Sequence, residues 1–181
     1  LPRMESGELI GAYCVTEPNA GTDVAAMCTV AVDKGDHYVL NGTKSFVTSA
    51  VYAGVFIVFA KTHPEEGRNG ISCFVVDRNS KGLELGKPEQ KCGIKASDTR
   101  EISLMDVVVP KENMIGNDRD GFRMAVTILN GGRIGVSFQA IGIARAALEE
   151  AIKYAKTRKQ FGQAIANFQA IQFKIADMGA R

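Results

Sequence analysis

Little in this chain could hold a metal or build a disulfide framework. Its 181 residues include four cysteines and two histidines. Cys14, Cys28, Cys73 and Cys92 form no C-x-x-C pair, and His37 and His63 lie far from metal-ligand spacing. Cys14, Cys28 and Cys73 fall in strand-like runs, where a thiol behaves as a small apolar group. Reduced thiols and an intracellular compartment are therefore expected, with no metal site. An excess of charge of one sign is missing too. The net charge is +2, and the pI of about 8.4 comes from dispersed lysines, not a basic tract. That argues against nucleic acid or an anionic membrane as the main partner. No apolar stretch approaches the roughly 20 residues of a membrane span. No signal or transit peptide is visible, although the chain starts at Leu1, as it would after removal of a targeting segment. A bacterial cytoplasm and a mitochondrial matrix fit equally.

What is present is an ordinary globular composition, 45% apolar and 23% charged, at a length that allows one domain or one and a part. From Ile10 to about Val109, short β-type runs alternate with Gly, Asn, Asp and Pro. Ala26–Asp33 and His37–Gly42 flank Lys34-Gly35-Asp36, a hairpin signal, and Asn41-Gly42 predicts a further tight turn. Gly54–Thr62 and Ile71–Asp77 are apolar enough for central strands, with the charged stretch His63–Gly70 as an exposed loop between them. Arg100–Pro110 is a further strand. Such a series suggests an antiparallel barrel or sandwich. After Asp118 the period becomes helical. Residues 121–158 lack proline and keep Ile134, Phe138, Ile141, Leu148, Ile152 and Ala155 on one face. A break at Lys159–Ala164 leads to a second helix from about Ala166 without a stop signal before Arg181. The expected architecture is an α+β fragment: a β-domain over residues 1–117, then the first long antiparallel helices of a truncated bundle over 118–181.

Four segments carry possible chemistry. Tyr13–Asp23 (YCVTEPNAGTD) runs from a strand into a turn offering the hydroxyls of Thr16 and Thr22 and exposed N–H groups around Asn19-Ala20-Gly21. A flavin needs such groups at its pyrimidine edge and pyrophosphate; a polar turn between two strands, a common feature, would show the same residues. In Lys44–Ser49 (KSFVTS), Phe46 and Thr48 alternate with Val47, so an aromatic ring and a hydroxyl share a face. A half-buried strand of ordinary side chains would look the same. Arg133 stands in an apolar helix segment, where it needs a ligand, an ion-pair partner or a path to water. Arg158, in RKQFG, suits either a phosphate or a helix C-terminus. Glu149 and Lys153 are an i,i+4 pair without assigned function.

Together and in this order, YCVTEPNAGTD and RKQFGQAIANFQAIQFKIADM resemble the two signatures of the acyl-CoA dehydrogenase family. CGIKASDTREISLMDVVVPKENMIG also fits the family's β-domain, and GGRIGVSFQAIGIA is most similar to the short-chain, butyryl-type branch. The resemblance implies FAD as cofactor, contacted by Tyr13, Val15, Thr16, Gly21 and Thr22, with Thr22 also near the acyl-CoA. It implies that Phe46, Val47 and Thr48 line the isoalloxazine ring, with Thr48 reaching N5. Many relatives carry tryptophan where this chain has Phe46. Asn130 and Arg133 would sit near the CoA, although relatives often have aspartate in place of Asn130. Arg158, Gln160, Phe161 and Gln169 would reach the FAD of a neighbouring subunit, hence a homo-oligomer, a tetramer in the family.

The implied reaction is FAD-dependent α,β-dehydrogenation of an acyl-CoA to the trans-2-enoyl-CoA, as in fatty acid β-oxidation, with electrons passed to an electron-transfer flavoprotein. An acyl-CoA oxidase and a non-catalytic flavin-binding relative are the alternatives. The family's base is a glutamate expected beyond Arg181, or, in one branch, a residue at the position of Gly132, which cannot serve. No catalytic residue is therefore nominated. The isolated chain is expected to be inactive and to self-associate through its unpaired helix faces.

Overall fold

The computed structural model describes residues 2–181. The chain divides into two compact units, one ending at Thr127 and the other running Ile128–Arg181. After a short helix α1 (Pro2–Glu5), the first unit is built on β1 (Ile10–Cys14), β2 (Val30–Asp33), β3 (His37–Thr48), β4 (Ala53–Lys61), β5 (Ile71–Asp77), β6 (Leu83–Pro88) and β7 (Thr99–Pro110). They form one seven-stranded sheet in the order β1-β4-β2-β3-β7-β6, with β5 along β4.

The sheet is mixed, which corrects the expectation of a purely antiparallel one. β1 runs parallel to β4, and β2 meets β4 in parallel at Val30 and Lys61; the remaining pairs are antiparallel. The cause lies in the path of the chain. Along the sequence the β2–β3 hairpin separates β1 from β4, and the chain returns from it into β4 in the same direction as β1. Hydrophobic alternation reports which face a residue takes and not which way its neighbour runs.

β4 is central, as its composition predicts, with Val55, Phe56, Val58, Phe59 and Ala60 buried over both faces. One face joins Cys14, Leu40, Val47, Phe74, Ile102, Leu104 and Val107 in the main core. Each such side chain contributes about 1.5–3 kcal/mol on burial. The predicted turn at Asn41-Gly42 is not a turn. β3 continues through it with a register shift against β7 between Leu40 and Gly42. Gly42 is needed there because a side chain would overlap Thr29. β6 carries no strand signal of its own and exists through its pairing with β7.

Helix α2 (Gly121–Thr157) begins within the first unit. Its start is held by Asp118, which accepts hydrogen bonds from Thr62 (2.7 Å) and Ser72 (2.8 Å) and pairs with His63 at 2.8 Å. The Arg119 N–H donates to the Ser72 hydroxyl at 2.8 Å. Ala125, one turn on, is fully buried. In the second unit α2 leads into a tiny hairpin, β8 (Lys159–Gln160) and β9 (Gln163–Ala164), and then α3 (Gln169–Ala180). Along the predicted apolar face, Ala155 is buried and Leu148 and Ile152 are half-buried, whereas Ile134, Phe138 and Ile141 are exposed.

Candidate functional site

The first signature leaves β1 at Cys14 and folds into a tight loop. Glu17 and Ala20 exchange backbone hydrogen bonds of 3.0 and 3.1 Å, closing the loop around exposed Pro18 and Asn19. Gly21, Thr22 and Asp23 follow, all exposed, with Thr16 half-buried. The second wall comes from the end of β3. There the register against β7 shifts between Lys44 and Val47, and the Ser45 N–H donates to the Thr16 carbonyl at 2.8 Å. The first signature and the Lys44–Ser49 segment are thus joined directly. At this bulge Phe46 takes a φ of 56° and its ring is 63% exposed. Positive φ is costly for an aromatic residue, and a large exposed ring beside it gains nothing from the core. Thr48 is exposed and Val47 buried, so Phe46 and Thr48 do share the outward side.

Three of the expected contacts have only their backbone to offer. The Val47 side chain belongs to the core. Tyr13 packs edge-on against Phe59 at 5.2 Å, and its hydroxyl donates to the Ala125 carbonyl at 3.3 Å. Burial, and to a smaller degree the neighbouring Cys73, pushes the Tyr13 phenol up to about 12. Val15 is also buried.

Behind the joined segments lies an ion pair that sequence reasoning missed. The Lys44 ammonium, with its side chain 0% exposed, meets the Glu17 carboxylate, 5% exposed, at 2.7 Å. It also donates to the Val15 carbonyl at 3.4 Å. The carboxylate accepts the N–H groups of Cys28 and Thr29, the latter at 3.0 Å. Burial alone would raise the Glu17 carboxyl, but the Lys44 charge and these donors outweigh it, and the carboxyl lies below its ordinary value. Burial also lowers Lys44, and Glu17 offsets part of that. Removing one partner of such a pair costs about 3–5 kcal/mol, because the other charge is left buried. Glu17 is engaged by Lys44, Cys28 and Thr29 and is not free to act as a base.

The remaining predicted residues belong to the second unit. Arg133 donates to the Asn130 side-chain carbonyl at 2.6 Å, one turn away on the same exposed helix. Arg158 follows the end of α2, where its N–H donates to the Tyr154 carbonyl and its own carbonyl accepts from Ile165. Phe161 and Gly162, with φ of 50° and 81°, form the turn between β8 and β9. The Phe161 side chain is 94% exposed, touched edge-on by Phe168 at 6.2 Å. Gln160, next to it in sequence, and Gln169, the first residue of α3, are exposed. Gly132 offers no side chain for chemistry.

An exposed aromatic ring, a neighbouring threonine hydroxyl and a hydroxyl-bearing loop exposed at Gly21 and Thr22 form a donor set that suits a flat, partly polar ring system. Residues 12–107 match the family model for the acyl-CoA dehydrogenase middle domain, and residues 119–181 match that for the acyl-CoA dehydrogenase C-terminal domain. The chain belongs to the acyl-CoA dehydrogenase family. It is 51% identical to the short-chain specific acyl-CoA dehydrogenase of Clostridium acetobutylicum, over 98% of this chain and 47% of that protein. It is 51% identical to the caffeyl-CoA reductase-Etf complex subunit CarC of Acetobacterium woodii, over 94% of this chain and 45% of the relative. Among solved structures, butyryl-CoA dehydrogenase from Megasphaera elsdenii superposes with a TM-score of 0.94 at 46% identity, covering 98% of this chain and 47% of that one. The chain spans about half the length of the curated relatives it matches.

Proposed function

We propose that the protein represented by this chain binds FAD and oxidises an acyl-CoA thioester between Cα and Cβ, giving the trans-2-enoyl-CoA and passing electrons to an electron-transfer flavoprotein. One observation carries the reading: the Ser45–Thr16 hydrogen bond joins the hydroxyl loop to the strained, exposed Phe46 and to Thr48. FAD, when bound, supplies the acceptor for a hydride from the β-carbon. Thr16, Gly21 and Thr22 hold the cofactor by hydroxyl and N–H groups, as do the backbones of Tyr13 and Val15. Phe46 covers the ring and excludes water, and Thr48 donates its hydroxyl to it, with the Val47 backbone alongside. Asn130 and Arg133 hold the CoA portion. Arg158, Gln160, Phe161 and Gln169 reach a cofactor in a neighbouring copy, which makes the active protein a homo-oligomer. The same reading assigns residues 1–117 to the β-domain and 118–181 to the helical domain, in a bacterial cytoplasm or a mitochondrial matrix.

Anaerobic visible spectroscopy of the full-length protein tests this. A yellow protein bleached by an acyl-CoA supports the dehydrogenase, and the most effective chain length identifies the substrate. A yellow protein that no acyl-CoA bleaches points to a non-catalytic relative, rapid reoxidation by air to an oxidase, and a colourless protein that binds no FAD sinks the reading. A second reading, reduction of a 2-enoyl-CoA, is favoured by the likeness to the caffeyl-CoA reductase subunit. It predicts that reduced protein is reoxidised faster by an enoyl-CoA than the oxidised protein is bleached by the saturated thioester.

A further inference from the structure

We infer that Glu17 and Lys44 are positioning residues of the flavin site, holding the Thr16–Thr22 loop at a set distance from Phe46 and Thr48; this rests on the flavin reading above. The pair joins three segments. Lys44 is the last residue of β3 before the bulge that turns Phe46 outward, and its ammonium bonds the Val15 carbonyl and the Glu17 carboxylate in the signature loop. Glu17 in turn accepts the N–H groups of Cys28 and Thr29, where the chain enters β2. The neighbouring Ser45–Thr16 bond then places the two walls in contact.

Stability alone gives no reason for charges at this place, because well-packed apolar residues usually serve a core as well or better than a buried ion pair. Apolar residues would, however, leave the N–H groups of Cys28 and Thr29 and the carbonyl of Val15 without these partners. The loop would then be packed but free to shift along the strand. The ion pair specifies one register between the loop and the bulge, and that register sets where hydroxyls and aromatic ring stand relative to one another. Neither residue has free capacity to touch a ligand: both side chains are buried and their polar atoms are engaged with each other and with backbone. Their action is therefore through Thr16 and Phe46.

The test compares the full-length protein with the double substitution Glu17→Gln/Lys44→Met and with Lys44→Arg. The double variant removes both charges at similar volume. The expected result is a thermal midpoint close to the parent's, with FAD held about tenfold more weakly or worse, the scale on which misplaced site groups act. The visible band of any bound flavin is expected to be broadened and shifted, and acyl-CoA bleaching slowed at saturating substrate. Lys44→Arg keeps the charge and moves the donor, so it is expected to retain the fold and show an intermediate spectrum. If the double variant does not fold, this variant decides alone. A folded variant with the parent's FAD affinity, spectrum and bleaching rate overturns the inference and leaves the flavin reading standing. A parent that binds no FAD overturns both.

Discussion

Cys14 and Cys73 are buried, and burial pushes each thiol up to about 12; Lys44 partly counteracts this at Cys14. Cys28 and Cys92 are exposed. Since the thiolate is the reacting form, iodoacetamide at about pH 8 is expected to alkylate Cys28 and Cys92 in the folded chain and spare the other two. Peptide mass spectrometry reads this directly, and labelling of Cys14 before unfolding would contradict the packing described. Phe46 separates strain from function at the same scale. Its positive φ suits glycine, so Phe46→Gly is expected to be neutral or to stabilise by up to about 1 kcal/mol in a urea titration. The same substitution removes the exposed ring and is expected to weaken FAD binding. A loss of stability above about 1 kcal/mol would show that the ring packs in a way its exposure denies.

At the scale of elements, the decisive contact is the entry into α2. A side chain at Gly121 would lie 2.7 Å from the Ser72 carbonyl carbon and 2.8 Å from the Ile71 oxygen, both backbone. Backbone cannot rotate away as a side chain can. Gly121→Val is expected to destabilise the first unit by about 1–3 kcal/mol, the range found for overpacked sites. Denaturant titration followed by the sheet's circular dichroism checks it. The Asp118 cluster beside it explains why: Thr62 and His63 from the segment after β4 and Ser72 from β5 converge on one carboxylate.

At the scale of the whole chain, acid stability and association follow from the same features. Glu17 and Asp118 both lie below their ordinary values of 4.5 and 3.8. For Asp118, burial would raise it, but bonds from Thr62, Ser72 and His63 outweigh that. A carboxyl depressed in the folded state binds its proton more weakly there than when unfolded. The stability it contributes is thus complete above the unfolded value and is lost as pH falls through the lower folded value. The thermal midpoint is expected to fall steeply below about pH 4.5, and Glu17→Gln to flatten that fall while lowering the midpoint at neutral pH. Along α2 and α3, Ile134, Phe138, Ile141, Ile143, Phe173 and Met178 are exposed. Size-exclusion chromatography of the 181-residue chain is expected to show association, and a clean monomer would mean that this surface is less adhesive than its composition implies.

Local pattern made much of the molecule legible. The β4 and β5 runs, the Lys34–Asp36 hairpin and the break at Lys159–Ala164 follow from periods of two and 3.6 and from turn chemistry, which depend on neighbours in the chain. The two signature segments, and with them the family, were likewise readable without coordinates. Three things were decided only in three dimensions. The parallel pairing of β1 with β4 depends on where a hairpin carries the chain. The continuation of β3 through Asn41-Gly42 depends on β7 and on the space beside Thr29. The bond between Glu17 and Lys44 joins charges 27 residues apart in sequence, and no local rule pairs them. Short-range sterics and burial patterns are written in consecutive residues, whereas strand direction, register shifts and buried charge pairs arise from which distant segments meet once the core has closed.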